Sequence, residues 1–197
     1  MRCSASICLL LVTLGLAQGQ MIAKVTRVPA QGDVTSSNAR VATLPGGSIA
    51  MAWQAGEDVQ VATFDSNRAL QGVIRYDVPD ATTEILHKLA TDTSGNIYLL
   101  MGGNSNFGTS VYVASFSNTL MKRWDYRIEH GVFDFPIDIE IDSAGRCFVL
   151  TSFSQVAGTR YPVTIFNPNG TVYFFDTFYE GNAEVTDLAA AGGQFAI

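Results

Sequence analysis

The chain has 197 residues, 47% hydrophobic and 15% charged, with 12 basic and 18 acidic side chains and a formal net charge of −6. An acidic balance without clustered Lys and Arg argues against a nucleic-acid partner, because phosphate binding is carried by grouped cations. The acids are scattered along the chain, a pattern that serves solubility and does not by itself point to calcium or mineral binding.

Residues 1–19 read as a secretory signal peptide: Arg2 gives a basic start, Ile7 to Ala17 an apolar core, and Ala17-Gln18-Gly19 small residues at a cleavage site. Cleavage after Gly19 leaves Gln20 as the mature N-terminus and removes Arg2, so 11 basic residues face 18 acidic ones and the formal charge becomes −7. No later apolar run is long enough to cross a bilayer, so the expected product is secreted and extracellular, with no membrane span. Residues 20–37 form an N-terminal strand and linker, in which Ile22 to Val28 is expected as an outer strand that closes a last, absent blade.

From residue 38 onward the chain repeats itself. Gly47 to Met51 (GSIAM), Gly95 to Leu99 (GNIYL), Gly145 to Val149 (GRCFV) and Gly193 to Ile197 (GQFAI) correspond, with glycines 48, 50 and 48 residues apart. A period near 50 residues built from short strands is the signature of a β-propeller, with units at about 38–86, 87–136, 137–186 and the start of a fourth at 187–197. Each unit reads as four antiparallel strands. In the third these are Ile137 to Ile141, Cys147 to Thr151, Val163 to Phe166 and Val172 to Phe178. The second strands are apolar in both phases, as expected of sheets covered on both faces. Phe64, Phe116 and Phe166 close the third strands as interblade packing residues. Three units and part of a fourth do not close a ring of four to eight blades, so the chain is expected to be an N-terminal fragment of a longer propeller.

The turns carry their own chemistry. Asp92-x-x-Gly95 and Asp142-x-x-Gly145 place a hydrogen-bond acceptor first and a left-handed residue fourth, so these acids are turn formers rather than metal ligands. Pro45-Gly46-Gly47 replaces that turn in the first unit. Cys3 and Cys8 leave with the signal peptide, and Cys147 occupies the position of Ile49, Ile97 and Phe195, which makes it a small core residue.

The stretch Pro136 to Leu150 (PIDIEIDSAGRCFVL) resembles the NHL-type and related secreted six-bladed propeller repeats, and the likeness extends over roughly residues 38–197. It implies the propeller fold and no particular activity, since the shared motifs are structural.

Function is expected on the face where second-to-third-strand loops and interblade connections gather. Those loops read as long: 53–58, 102–110 and 152–160. Trp53, Asn104, Phe107, Phe133, Phe135, Phe153 and Arg160 mix rigid aromatics with polar groups there, which suits an extracellular protein or glycan partner as well as it suits capping of the core. Asn169-Gly170-Thr171 is the N-glycosylation sequon, on the opposite face. No catalytic residue, metal ligand or cofactor is assigned. The leading expectation is a secreted, non-enzymatic interaction or matrix-component protein. The alternative is a metal-dependent, lactonase-like propeller hydrolase, in which His87 and His130 converge with Asp138 or Asp187 and further ligands lie beyond Ile197.

Overall fold

The structure, a computed structural model, describes residues 7–13, 22–28, 36–78, 81–105, 108–130, 133–155, 158–178 and 185–197. Three four-stranded antiparallel sheets follow one another in the chain as propeller blades. Blade one comprises β3 (Ser36–Thr43), β4 (Ile49–Ala55), β5 (Asp58–Phe64) and β6 (Leu70–Tyr76), after β1 (Ile7–Thr13) and β2 (Ile22–Val28). Blade two comprises β7 (Thr83–Thr91), β8 (Ile97–Ser105), β9 (Gly108–Phe116) and β10 (Lys122–Ile128). Blade three comprises β11 (Asp134–Ile141), β12 (Cys147–Gln155), β13 (Gly158–Phe166) and β14 (Val172–Phe178). The hairpin β15 (Ala189–Ala191) and β16 (Gln194–Ala196) begins a fourth.

Within each blade the strands pair in chain order, and the first strands adjoin across blades: β3 lies against β7, β7 against β11 and β11 against β15. The sheets therefore radiate from a common line of first strands. No described helix is long and apolar enough to cross a membrane.

Alternate residues of a central strand feed opposite seams, which is why both phases are apolar. Ile97, Leu99 and Met101 of β8 join Ala50, Val59, Val61 and Phe116 between blades one and two. Tyr98 and Leu100 of the same strand join Ile139, Cys147, Val149 and Phe166 between blades two and three. Cys147 is fully buried, and burial pushes its thiol far above the ordinary range. The register makes the repeat literal: Ile49 pairs with Phe64, Ile97 with Phe116 and Cys147 with Phe166.

The Asp-x-x-Gly turns form as their residues dictate. Asp92 Oδ1 accepts from the Ser94 and Asn96 amides at 2.9 and 2.8 Å, and Asp142 Oδ1 from those of Ala144 and Arg146, both at 2.9 Å. Gly95 and Gly145 take φ of 84° and 75°, where a Cβ is costly. The first unit uses a 3-10 turn over Pro45–Gly47 instead.

One sequence expectation changes. The segments read as long loops are mostly strand: Ala55 pairs with Asp58, Ser105 with Gly108 and Gln155 with Gly158, leaving two-residue connections. Their Ser, Thr, Asn and Gly residues look like loop composition, but they occupy ladder positions at the strand ends. Ile22–Val28 pairs antiparallel with Ile7–Thr13, Ile7 opposite Val28.

Candidate functional site

The short hairpins and the interblade connections gather at one end of the blades. Asp134 anchors that end: it is buried, and its Oδ2 accepts from the His130 amide at 2.9 Å. Its neighbours Phe133 and Phe135 remain 56% and 48% exposed, and Phe133 bridges to Thr109 of blade two. Phe153 pairs with Asp134 across the ladder and with Arg160 on its other side, so these residues share the outer end of blade three. The Phe153 ring is buried, 5.8 Å from that of His130.

The other expected face residues divide. Trp53 is fully buried among Met51, Ala62 and Phe64, because its strand position places it in the core, and it offers no surface to a partner. The Asn104 side chain is exposed while its carbonyl is tied to the amide and hydroxyl of Thr82 at 2.8 and 3.0 Å. Phe107 lies outside the described residues. Asn169 is exposed on the hairpin between β13 and β14, at the other end of the blade, and its Oδ1 accepts from Thr171 Oγ1 at 2.7 Å.

The two histidines occupy separate environments. His87 Nε2 contacts the Ile137 carbonyl at 2.8 Å, in the line of first strands. There Arg40, Lys88 and Asp138 occupy the same register position, opposite Ala52, Leu100 and Leu150, each beside an irregularity in the ladder. Lys88 Nζ lies 2.5 Å from Asp138 Oδ1, and Asp138 Oδ2 accepts from the Leu188 amide at 3.0 Å. Burial, then the bond to Asp187, raises the Asp138 carboxyl above its usual range. These groups tie blades two and three to the fourth. His130 instead sits in the seam between blades two and three, its ring 4.7 Å from that of Phe175. Burial lowers its imidazole below the ordinary value and keeps it neutral at pH 7.

One acidic trio had no signal in the sequence. Asp58 lies on β5, Asp77 in the connection after β6 and Glu84 on β7, and an oxygen of each lies within 4.8 Å of the others. Arg75 pairs with Asp58, and Glu84 Oε1 accepts from the Val78 amide at 2.9 Å. Glu84 is only 2% exposed, and its carboxyl is pushed up to about 7 by burial and by the charges of Asp58 and Asp77, against the favourable Val78 amide. Among the described residues this is the group of His, Cys, Asp and Glu closest to cation-binding geometry, and an acid cluster alone assigns no metal.

Among the described residues, cavities open along both seams. One of about 430 Å³ lies between blades one and two at the turn end, lined by Pro45, Phe64, Asp65, Asn118 and Leu120 among others. The other, of about 360 Å³, lies between blades two and three and is walled by Tyr126, Ile128, Val172 and Phe175, with His130 and Thr164.

No protein-family model matches the chain, and no curated protein matches it. Among solved structures, one described as the crystal structure of the eukaryotic initiation factor matches with a TM-score of 0.49 and 15% sequence identity, over 81% of this chain and 35% of that one. The chain thus spans about a third of the length of that protein.

Proposed function

We propose that this chain is a secreted, non-enzymatic interaction or matrix-component protein that engages an extracellular protein through the hairpin end of its blades. The observation that carries the reading is the pair Phe133 and Phe135, exposed on either side of a buried, hydrogen-bonded Asp134. Two large rings held out by a fixed backbone give contact area at little entropic cost, the property that makes aromatics interface anchors. Two of the four groups from which a propeller hydrolase would be built are engaged elsewhere, His87 with a carbonyl and Asp138 with Lys88, and His130 lies apart from them in another seam. The leader-like composition of residues 1–19 supports export, and a glycan on Asn169 would leave the hairpin end clear.

The test is expression with a C-terminal tag in secreting eukaryotic cells. The tagged product is expected in the medium, beginning at Gln20. Immobilised wild type should retain a defined protein from native extracellular extract, and the Phe133→Ser, Phe135→Ser double variant should lose it while remaining folded by circular dichroism. Retention of the product in the cell, or equal capture by the double variant, overturns the reading.

A further inference from the structure

The cavity between blades two and three differs from its counterpart in what its walls leave unbonded. Among the described residues, His130 Nε2 and Thr164 Oγ1 are buried without a hydrogen-bond partner, and both residues line this cavity. No lining residue of the larger cavity between blades one and two carries such an atom. A buried polar atom without a partner is costly, so two beside one cavity need an explanation.

The repeat supplies an internal control. Thr164 pairs with Val149; the same register position is Ala62 opposite Met51 in blade one and Ala114 opposite Leu99 in blade two. The fold accommodates alanine there twice, so packing does not require the blade-three hydroxyl. Across the ladder from Thr164 stands Phe175, where the sister blades have Val73 and Asp125. Blade three has thus gained a hydroxyl and an aromatic ring on neighbouring strands, and both residues line the cavity together with the exposed Tyr126 of blade two.

The chemistry of the walls limits the ligand. The His130 ring bonds the Glu129 backbone, and since Nε2 has no partner that bond falls to Nδ1, which leaves Nε2 as an acceptor awaiting a donor. Thr164 Oγ1 is itself buried, so a ligand hydroxyl would meet it after a step between staggered χ1 wells. At the rim Arg127 pairs with Glu129 and also reaches Ser110, so the rim offers no unmatched charge. The cavity therefore suits a neutral ring with an apolar face for Phe175 and Tyr126 and at least two hydroxyls, one for each unbonded atom. A pyranose has both features, whereas a simple phenol has one hydroxyl. The volume is within the range of small-ligand sites.

We propose that the seam between blades two and three binds a neutral pyranose, with its C–H face on Phe175 and Tyr126 and its hydroxyls on His130 Nε2 and Thr164 Oγ1. This site is separate from Phe133 and Phe135 and stands whether or not they bind a protein.

The experiment is titration of the full chain with neutral methyl glycosides (gluco, galacto, manno and N-acetylglucosamine), followed by calorimetry and ligand-observed NMR, with p-cresol in parallel. At least one glycoside should bind with Kd on the order of 1 mM, the range expected of so small a ligand. Thr164→Ala should weaken it about 5- to 10-fold and His130→Phe more than 10-fold. Thr164→Ala must stay folded and no less heat-stable than wild type, as its alanine-bearing sister blades require. The proposal is overturned if no glycoside saturates, if p-cresol binds in their place, or if Thr164→Ala binds as wild type does.

Discussion

The two interblade seams are built from one repeat and are finished differently. Between blades one and two, a continuous apolar layer runs from Leu44 and Val59 through Leu99 and Met101 to Phe116 and Leu120. Its polar groups include Asp58, Asp77 and Glu84, which meet at the hairpin end, and the Tyr76 hydroxyl, which donates to Asp125 of blade two at 2.8 Å. Between blades two and three the layer is aromatic at its outer edge: Trp124 stacks on Phe166 at 5.5 Å, Tyr126 meets the same ring at 5.1 Å, and Arg123 and Trp124 both donate to the Pro168 carbonyl. Beside that edge lie the cavity and its unbonded polar atoms. Shared register positions set the architecture, and the few positions that depart from the repeat are where chemistry can enter.

Truncating the equivalent phenylalanines should break this comparison most visibly. Phe116 is enclosed by aliphatic neighbours and one edge-on ring, Tyr76 at 5.2 Å. Phe116→Ala should cost about 3–5 kcal/mol by urea denaturation. Phe166→Ala should cost less, because Tyr126, in edge contact with its ring, borders a cavity and can settle into the space. Equal losses would mean that both seams are packed alike. A smaller effect is expected at the turns. Gly46 and Gly170 share a positive φ, 70° and 85°, but a Cβ at Gly46 meets nothing within 4 Å, whereas one at Gly170 falls 2.5 Å from Trp124 Cγ. Gly46→Ala should cost about 1 kcal/mol, from the backbone alone. Gly170→Ala should cost about 2–3 kcal/mol, since Trp124 must move. If the two variants melt together, the contact between the outer hairpin and Trp124 contributes nothing.

The repeat made the blades legible because glycine spacing, Asp-first turns and two-phase apolar strands are local signals. It also placed Cys147 correctly: a residue aligned with Ile49 and Ile97 inherits their burial. The hairpin end was harder to read. At strand ends Ser, Asn and Gly carry the composition of a loop while pairing as a ladder, so three short hairpins looked long. Trp53 illustrates the consequence, since a residue assigned to a loop is in fact the fifth of a central strand, with its ring in the core. Phe133 and Phe135 are exposed, as aromatics in a connection between blades can be, and their place in that connection is visible in the sequence. The trio Asp58, Asp77 and Glu84 was not visible there, because three separate segments contribute one acid each and only tertiary structure brings them together.

The finest test concerns pH, where the seams should respond with opposite sign. Glu84 has its folded carboxyl raised from 4.5 to about 7, chiefly by burial. The folded state then holds that proton more tightly than the unfolded chain does, so the contribution is fully present below about 4.5 and is lost as pH rises through about 7. The loss should be roughly 2 kcal/mol after allowance for solvent screening near exposed Asp77. Glu84→Gln keeps an oxygen for the Val78 amide, places an N–H donor among the carboxylates and should remove this slope, leaving the variant more stable than wild type at pH 8. His130 works the other way. Burial lowers its imidazole from 6.5, so the unfolded chain binds the proton better and the seam loses stability as pH falls below about 6.5. His130→Phe should flatten that limb and leave the Glu84 limb intact. Melting temperatures of wild type and both variants between pH 4 and 8 separate the two. A single variant that removed both limbs would show that the seams titrate as one unit, and the distinction between them would fail.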